Sequence, residues 1–273
     1  MTDTPEAGTL WRYVETWHRA CSDFVALARG IGEDDADRAT DLAGWSVRDN
    51  VAHTAHLEAV LAGAPEETIE VPDAPHVRGL MNVYTEQGVL ARRGRTVAEL
   101  ADELEDAVAR RYAALQEAPP TDPAGRPPVA FAGMPWNNET LLGNRPLDVW
   151  MHEQDIRRAL DLPGGYDSPA ALHTVDRLSA GLPMVLGKRV AAEPGSTVRL
   201  AVPQLQRQWT VTVGEDGRAS FDDTADPDVR IALEPQDFVV LAGGRRTVEA
   251  TDPQLEGDAD LGRRFLGAMA ITP

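Results

Sequence analysis

The 273-residue sequence has one cysteine, Cys21, and one lysine, Lys188. A single thiol excludes an internal disulfide and any metal site built from several cysteines. With one lysine, arginine supplies the other 25 of the 26 basic charges, a bias that beside the wealth of Ala and Gly reads as genome composition. Basic residues are outnumbered by 44 acidic ones, and the net charge of −18 at pH 7 speaks against a nucleic-acid or anionic-membrane partner, whose phosphates such a surface repels. No stretch approaches the ~18 consecutive apolar residues of a membrane-spanning helix. The start Met1-Thr2-Asp3-Thr4-Pro5-Glu6 lacks the basic opening of a signal peptide, so the expected location is cytoplasmic.

What is there is mostly helical pattern. Leu10, Val14, Trp17, Cys21, Phe24, Val25 and Ala28 recur at three- and four-residue spacings and predict a helix over about 9–28. Cys21 lies on that stripe, which makes it a buried small apolar residue rather than a nucleophile. Ser46 with Asp49, and Thr96 with Glu99, are capping boxes that open helices over about 46–63 and 96–118; another is expected around 77–91. Proline and glycine make 119–135 a loop, and Pro146 suits the first turn of a helix over about 144–160. Ser168-Pro169 opens a further helix with a kink at Gly181-Leu182-Pro183. From Thr197 the period changes to two, predicting strands at 198–202, 209–213 and 229–233, with short helices at 236–241 and 258–269. The fold class is α+β: a helical bundle over 1–192 and a smaller α+β domain over 193–273.

Six histidines carry most of the candidate chemistry. Asp148 and His152 are four apart in a mostly apolar helix, so both side chains leave one face a turn apart and can reach one metal ion. His53 lies in a helix that must pack on its neighbours and can meet that pair across a bundle, the way metal sites in bundles are built. Three N/O ligands leave an open position, as a catalytic zinc-type site requires. The plainer reading is a hydrogen-bonded Asp–His pair at the surface, with His53 and His56 partly exposed. His56 is a fourth ligand or a group at the rim. Gln154 and Asp155 either orient His152 or belong to a solvated helix end with Arg157 and Arg158. Neither Gly164-Gly165 nor Gly243-Gly244 is followed by the Lys-Ser/Thr of a phosphate loop.

The run Gly44-Trp45-Ser46-Val47-Arg48-Asp49-Asn50-Val51-Ala52-His53 resembles the second-helix motif of the DinB-like bundle enzymes. Asp148-Val149-Trp150-Met151-His152-Glu153-Gln154-Asp155-Ile156-Arg157-Arg158 is similar to the late-helix motif of one branch, the mycothiol-dependent maleylpyruvate isomerase family, which also includes mycothiol S-transferases. Segments 228–233, 237–246 and 257–266 resemble the sterol-carrier-like domain appended in that family. The resemblance implies a DinB-like metal-binding bundle whose divalent ion, usually taken as zinc, is held by His53, Asp148 and His152. Asp148 departs from the family's glutamate by one methylene. The resemblance also implies an arginine from the C-terminal domain that assists the reaction, for which Arg245 and Arg246 are the candidates.

The implied partners are a small-molecule thiol, mycothiol, as cosubstrate and an electrophilic substrate. A divalent ion with an open position lowers the pKa of a bound thiol, so that thiolate forms near neutral pH. Addition to an activated double bond, rotation and departure is isomerisation; displacement or retention is S-transfer. Two other readings remain open at this point: a metal-dependent hydrolase on the same bundle, and a non-catalytic protein that binds a small apolar ligand.

Overall fold

The computed structural model describes residues 5–272 of the chain, with side chains from residue 8. It divides into two compact units, residues 1–170 and 171–273.

In the first unit, α1 (Pro5–Arg29), α2 (Val47–Leu61), α3 (Gly79–Arg92), α4 (Val97–Glu117) and α5 (Asn138–Ala159) follow in order. Helix α1 packs on α4 and α5, and α2 packs on the same two, which closes a four-helix ring; α3 lies on α2. Leu10, Val14, Trp17, Cys21 and Phe24 fill the ring from α1, and Leu100, Leu104 and Ala107 meet them from α4. Cys21 is fully buried, and burial pushes its thiol pKa well up. Helix α2 has neighbours on three sides, so every residue in it but Arg48 is buried. At Gly88 of α3 the two helices come so close that the His56 ring fills the place of a side chain; a Cβ there would lie 2.0 Å from His56 Cδ2.

Helix α5 starts six residues before the expected position. Asn137 caps it, its side chain accepting from the Thr140 amide at 2.8 Å. Pro146 therefore stands inside the helix, not in its first turn. The missing proline N–H removes one backbone hydrogen bond, a loss the packing of α5 on α1 and α2 tolerates. The proline-rich loop before it contains one short 3-10 turn, Phe131–Gly133, which buries Phe131 against Leu57, Leu61, Tyr84 and Leu141.

Helix α6 (Pro169–Ser179) crosses from the first unit into the second; it and α7 (Leu182–Met184) are separated at the expected kink and lead through a π-helical turn into a five-stranded sheet. Its strands are β1 (Thr197–Val202), β2 (Arg207–Val213), β3 (Ala219–Phe221), β4 (Val229–Ala232) and β5 (Gln254–Gly257), in spatial order β3-β2-β1-β4-β5. Only β1 and β4 run parallel. Val198, Leu200, Val211, Val213 and Ile231 are buried, as are Phe238 of α8 (Pro235–Ala242) and Phe265 of α9 (Ala259–Gly267). Trp209 stacks on Phe238 at 5.6 Å. The architecture is the expected α+β, a helical part followed by a smaller sheet with helices. Strands β3 and β5 add to the three expected; both are short edge strands. Among the described residues no helix is long and apolar enough to cross a membrane.

Candidate metal centre

The site is built by two facing helices. The Ser46–Asp49 capping box fixes the start of α2, with the Ser46 Oγ accepting from the Asp49 amide at 3.2 Å and an Asp49 oxygen accepting from the Ser46 amide at 2.9 Å. That start sets the turn on which Asn50 and His53 leave α2. Asp148 and His152 leave α5 one turn apart, towards His53.

The three side chains converge. Asp148 Oδ2 lies 3.7 Å from His53 Nε2, and Oδ1 lies 3.8 Å from His152 Nε2. One ligand atom from each lies within 4.8 Å of the other two. Ligands about 2.1 Å from a tetrahedral ion stand about 3.4 Å apart, so the two carboxylate–imidazole distances are a few tenths of an ångström long, and the widest pair would close by up to about 1.4 Å on a cation. Neither ring nitrogen of buried His53 has a hydrogen-bond partner. A buried polar atom left unsatisfied is costly, and a cation would satisfy Nε2. The donor set of two imidazoles and a carboxylate suits a divalent ion such as zinc. The surface reading of the Asp–His pair does not hold, because His53 and His152 are buried.

The surroundings fix these groups. Asn50 is fully buried, and its Nδ2 donates to the Ser46 carbonyl at 2.9 Å and to Thr40 Oγ1 at 3.2 Å. Its Oδ1 is thereby left to accept, and it lies 2.8 Å from His152 Nδ1. In the neutral ring the proton then sits on Nδ1, which turns the Nε2 lone pair towards Asp148. Asp155 reinforces this, with Oδ2 at 3.6 Å from Nδ1 while Oδ1 pairs with Arg158. Asp155 and Gln154 are buried, the latter donating to the Gly164 carbonyl, so they do not form a solvated helix end. The Trp45 ring covers the imidazoles, 4.9 Å from His53 and 5.8 Å from His152, and its Nε1 donates to Glu86 at 2.8 Å.

Charge is balanced below the site. Arg145 Nη1 donates to Asp148 Oδ2 at 2.9 Å. Partial burial alone would raise the Asp148 pKa, but Arg145 and the two histidines outweigh it and hold the carboxyl well below its usual range. Glu58, also fully buried, takes Arg145 Nε at 2.9 Å and Arg111 Nη1 at 2.8 Å. Burial would raise its pKa too, and the two guanidiniums lower it.

His56 falls outside the cluster. Its Nδ1 lies 3.4 Å from Arg92 Nη1, and burial followed by the charge of Arg92 lowers its pKa to about 3, so it is neutral. Arg245 and Arg246 stand half-buried on the turn after α8 in the second unit, where Arg245 donates to the Gly243 carbonyl at 2.8 Å. Sequence reasoning did not single out Asn50, Glu58, Arg111 or Arg145. For Glu58 a signal was present, a lone acid inside Leu57-Glu58-Ala59-Val60-Leu61.

Two solved structures share the fold: the mycothiol-dependent maleylpyruvate isomerase and a histidine-to-alanine variant of it. Each is 18% identical with a TM-score of 0.52, over 87% of this chain and 90% of that one. No curated protein matches the chain in sequence. The model of the mycothiol maleylpyruvate isomerase N-terminal domain matches residues 17–157, which span α2 to α5 and hold all three converging side chains. That match takes in just over half of the sequence, and the chain belongs to the mycothiol maleylpyruvate isomerase family.

Proposed function

We propose that this chain is a mycothiol-dependent metalloenzyme of the cytoplasm that activates a small thiol for isomerisation of, or S-transfer to, an electrophilic substrate. The observation that carries the reading is the convergence of His53, Asp148 and His152 from two helices, with His53 buried and unsatisfied. A divalent ion, zinc by its donor set, supplies Lewis acidity that lowers the pKa of a thiol near it. The chain's own residues prepare that site. His53 and His152 offer imidazole nitrogens, and Asn50 keeps the His152 proton on the far nitrogen. Arg145 keeps Asp148 ionised, so the acidic ligand is ready at any pH near neutrality. Trp45 shields the two rings on one side and limits the access of water. Cys21, buried and protonated, leaves the thiol to come from outside the protein. Arg245 or Arg246 as a group that assists the reaction rests on the family resemblance.

Metal analysis of the untreated protein, with a conjugation screen using mycothiol and several electrophiles, tests the reading. About one divalent ion per chain is expected, lost in His53→Ala and His152→Ala, with turnover that requires mycothiol. Undiminished metal in both variants refutes the ligand set. Turnover indifferent to the thiol moves the reading to hydrolysis by a metal-activated water. Arg245→Ala and Arg246→Ala, assayed singly, are expected to lower kcat in one case with metal content unchanged.

A further inference from the structure

Asp148 reaches less far than a glutamate would, so its orientation matters more. It is held from below by a buried chain of charge: Arg111 to Glu58, Glu58 to Arg145, Arg145 to Asp148. Glu58 and Arg145 are 0 % and 1 % exposed. A guanidinium is planar; its Nε donates to Glu58 Oε1 at 2.9 Å, while Nη2 lies 2.8 Å from the same oxygen without making a hydrogen bond. With Nε bound to Glu58 and Nη1 bound to Asp148 Oδ2, the plane of Arg145 is held at two points, and Glu58 sets the direction of Nη1. The Arg145 guanidinium also sits 5.3 Å from the centre of the Phe131 ring, which limits its sideways movement.

Stability alone is a poor reason for the arrangement. Well-packed apolar residues in place of a buried ion network are commonly neutral or better for folding. What they could not do is hold a carboxylate at a set angle beside two imidazoles. We propose that Arg145, aligned by Glu58, is a positioning residue that fixes the Asp148 carboxylate for cation binding. Oδ2 is anchored by Arg145, and Oδ1 stays turned to His152. Helix α2 thus directs both α5 ligands, His152 through Asn50 and Asp148 through Glu58 and Arg145. The inference rests on the metal reading above.

Cobalt(II) titration of the metal-stripped full chain tests it, because the visible bands of cobalt report ligand geometry as well as occupancy. The native chain, Arg145→Met, Arg145→Lys and Glu58→Gln are compared, with circular dichroism to check the fold. Removing a group that orients a ligand costs roughly 10–100-fold in affinity. Arg145→Met is expected to bind cobalt at least tenfold more weakly with shifted bands. Arg145→Lys restores charge but not the planar fork, and should recover part of the affinity without the native spectrum. Glu58→Gln, nearly isosteric, keeps the test open if Arg145→Met does not fold, and should also shift the bands. Native affinity and spectrum in folded Arg145→Met or Glu58→Gln overturn the inference alone. A native chain that takes up no cobalt removes the metal reading and this inference together.

Discussion

The two units place their polar residues differently. Among the described residues every buried ionisable side chain lies in the first unit, including His53, Glu58, Arg111, Arg145 and Asp155. In the second unit the buried polar groups are hydroxyls alone: Thr174, Ser179, Thr197 and Thr210. The sheet unit is held by apolar burial and its backbone ladder. The bundle also accepts the desolvation of charge, which folding by itself does not require. The contrast separates the units: the buried charges lie in the first, together with the His53, Asp148 and His152 cluster.

The largest effects test that contrast directly. Glu58→Ala leaves Arg111 and Arg145 buried without their carboxylate and is expected to cost about 3–5 kcal/mol in urea unfolding, with weakened metal uptake. Phe238→Ala in the sheet unit should cost a similar amount, about 3–5 kcal/mol, and leave metal affinity untouched. If both variants lost metal equally, the division of labour between the units would be wrong. Next comes Asn50→Leu, which frees the His152 ring and should weaken metal binding by about 10–100-fold, measured by competition with a chromophoric chelator.

A smaller effect is a dependence on pH. His56 titrates near 3 when folded and near 6.5 when unfolded, so between those values the unfolded chain holds more protons. Its contribution is present above 6.5 and is lost as the pH falls towards 3. Glu58 works in the same direction, its depressed pKa giving stability that acid removes. From about pH 7.5 to about pH 5 the histidine accounts for about 2 kcal/mol, and His56→Gln should flatten the profile by that amount. The smallest effect belongs to Arg29, whose pairs with Asp102 and Glu105 are exposed; Arg29→Ala should leave the unfolding midpoint within experimental scatter.

The elements that were legible in the sequence are those with their own punctuation. Both capping boxes appear as expected, and α1, α2 and α4 follow from their apolar spacing. Pro146 misled, because a proline inside a packed helix looks like one at a helix start, while the true signal was Asn137. Strands β3 and β5 are too short and too exposed to alternate. In the site, spacing was enough to join Asp148 to His152, and a bundle was enough to suggest His53. Of the groups that hold them, Glu58 alone left a mark, as a lone acid in an apolar run; Asn50, Arg111 and Arg145 left none. A buried arginine or glutamate in mid-helix has the same letters as a solvated one, and only three-sided contact around α2 makes the difference.

That crowding has its narrowest point at Gly88. The His56 ring occupies the volume where any larger residue would begin, so Gly88→Ala must either drive the imidazole out or pry α3 away from α2. Expulsion would break the contact with Arg92, and separation would loosen the wall behind Tyr84 and the helix that carries His53. Mutational drift at this position is therefore closed even to the smallest step, and a single hydrogen atom keeps the gauge between two helices.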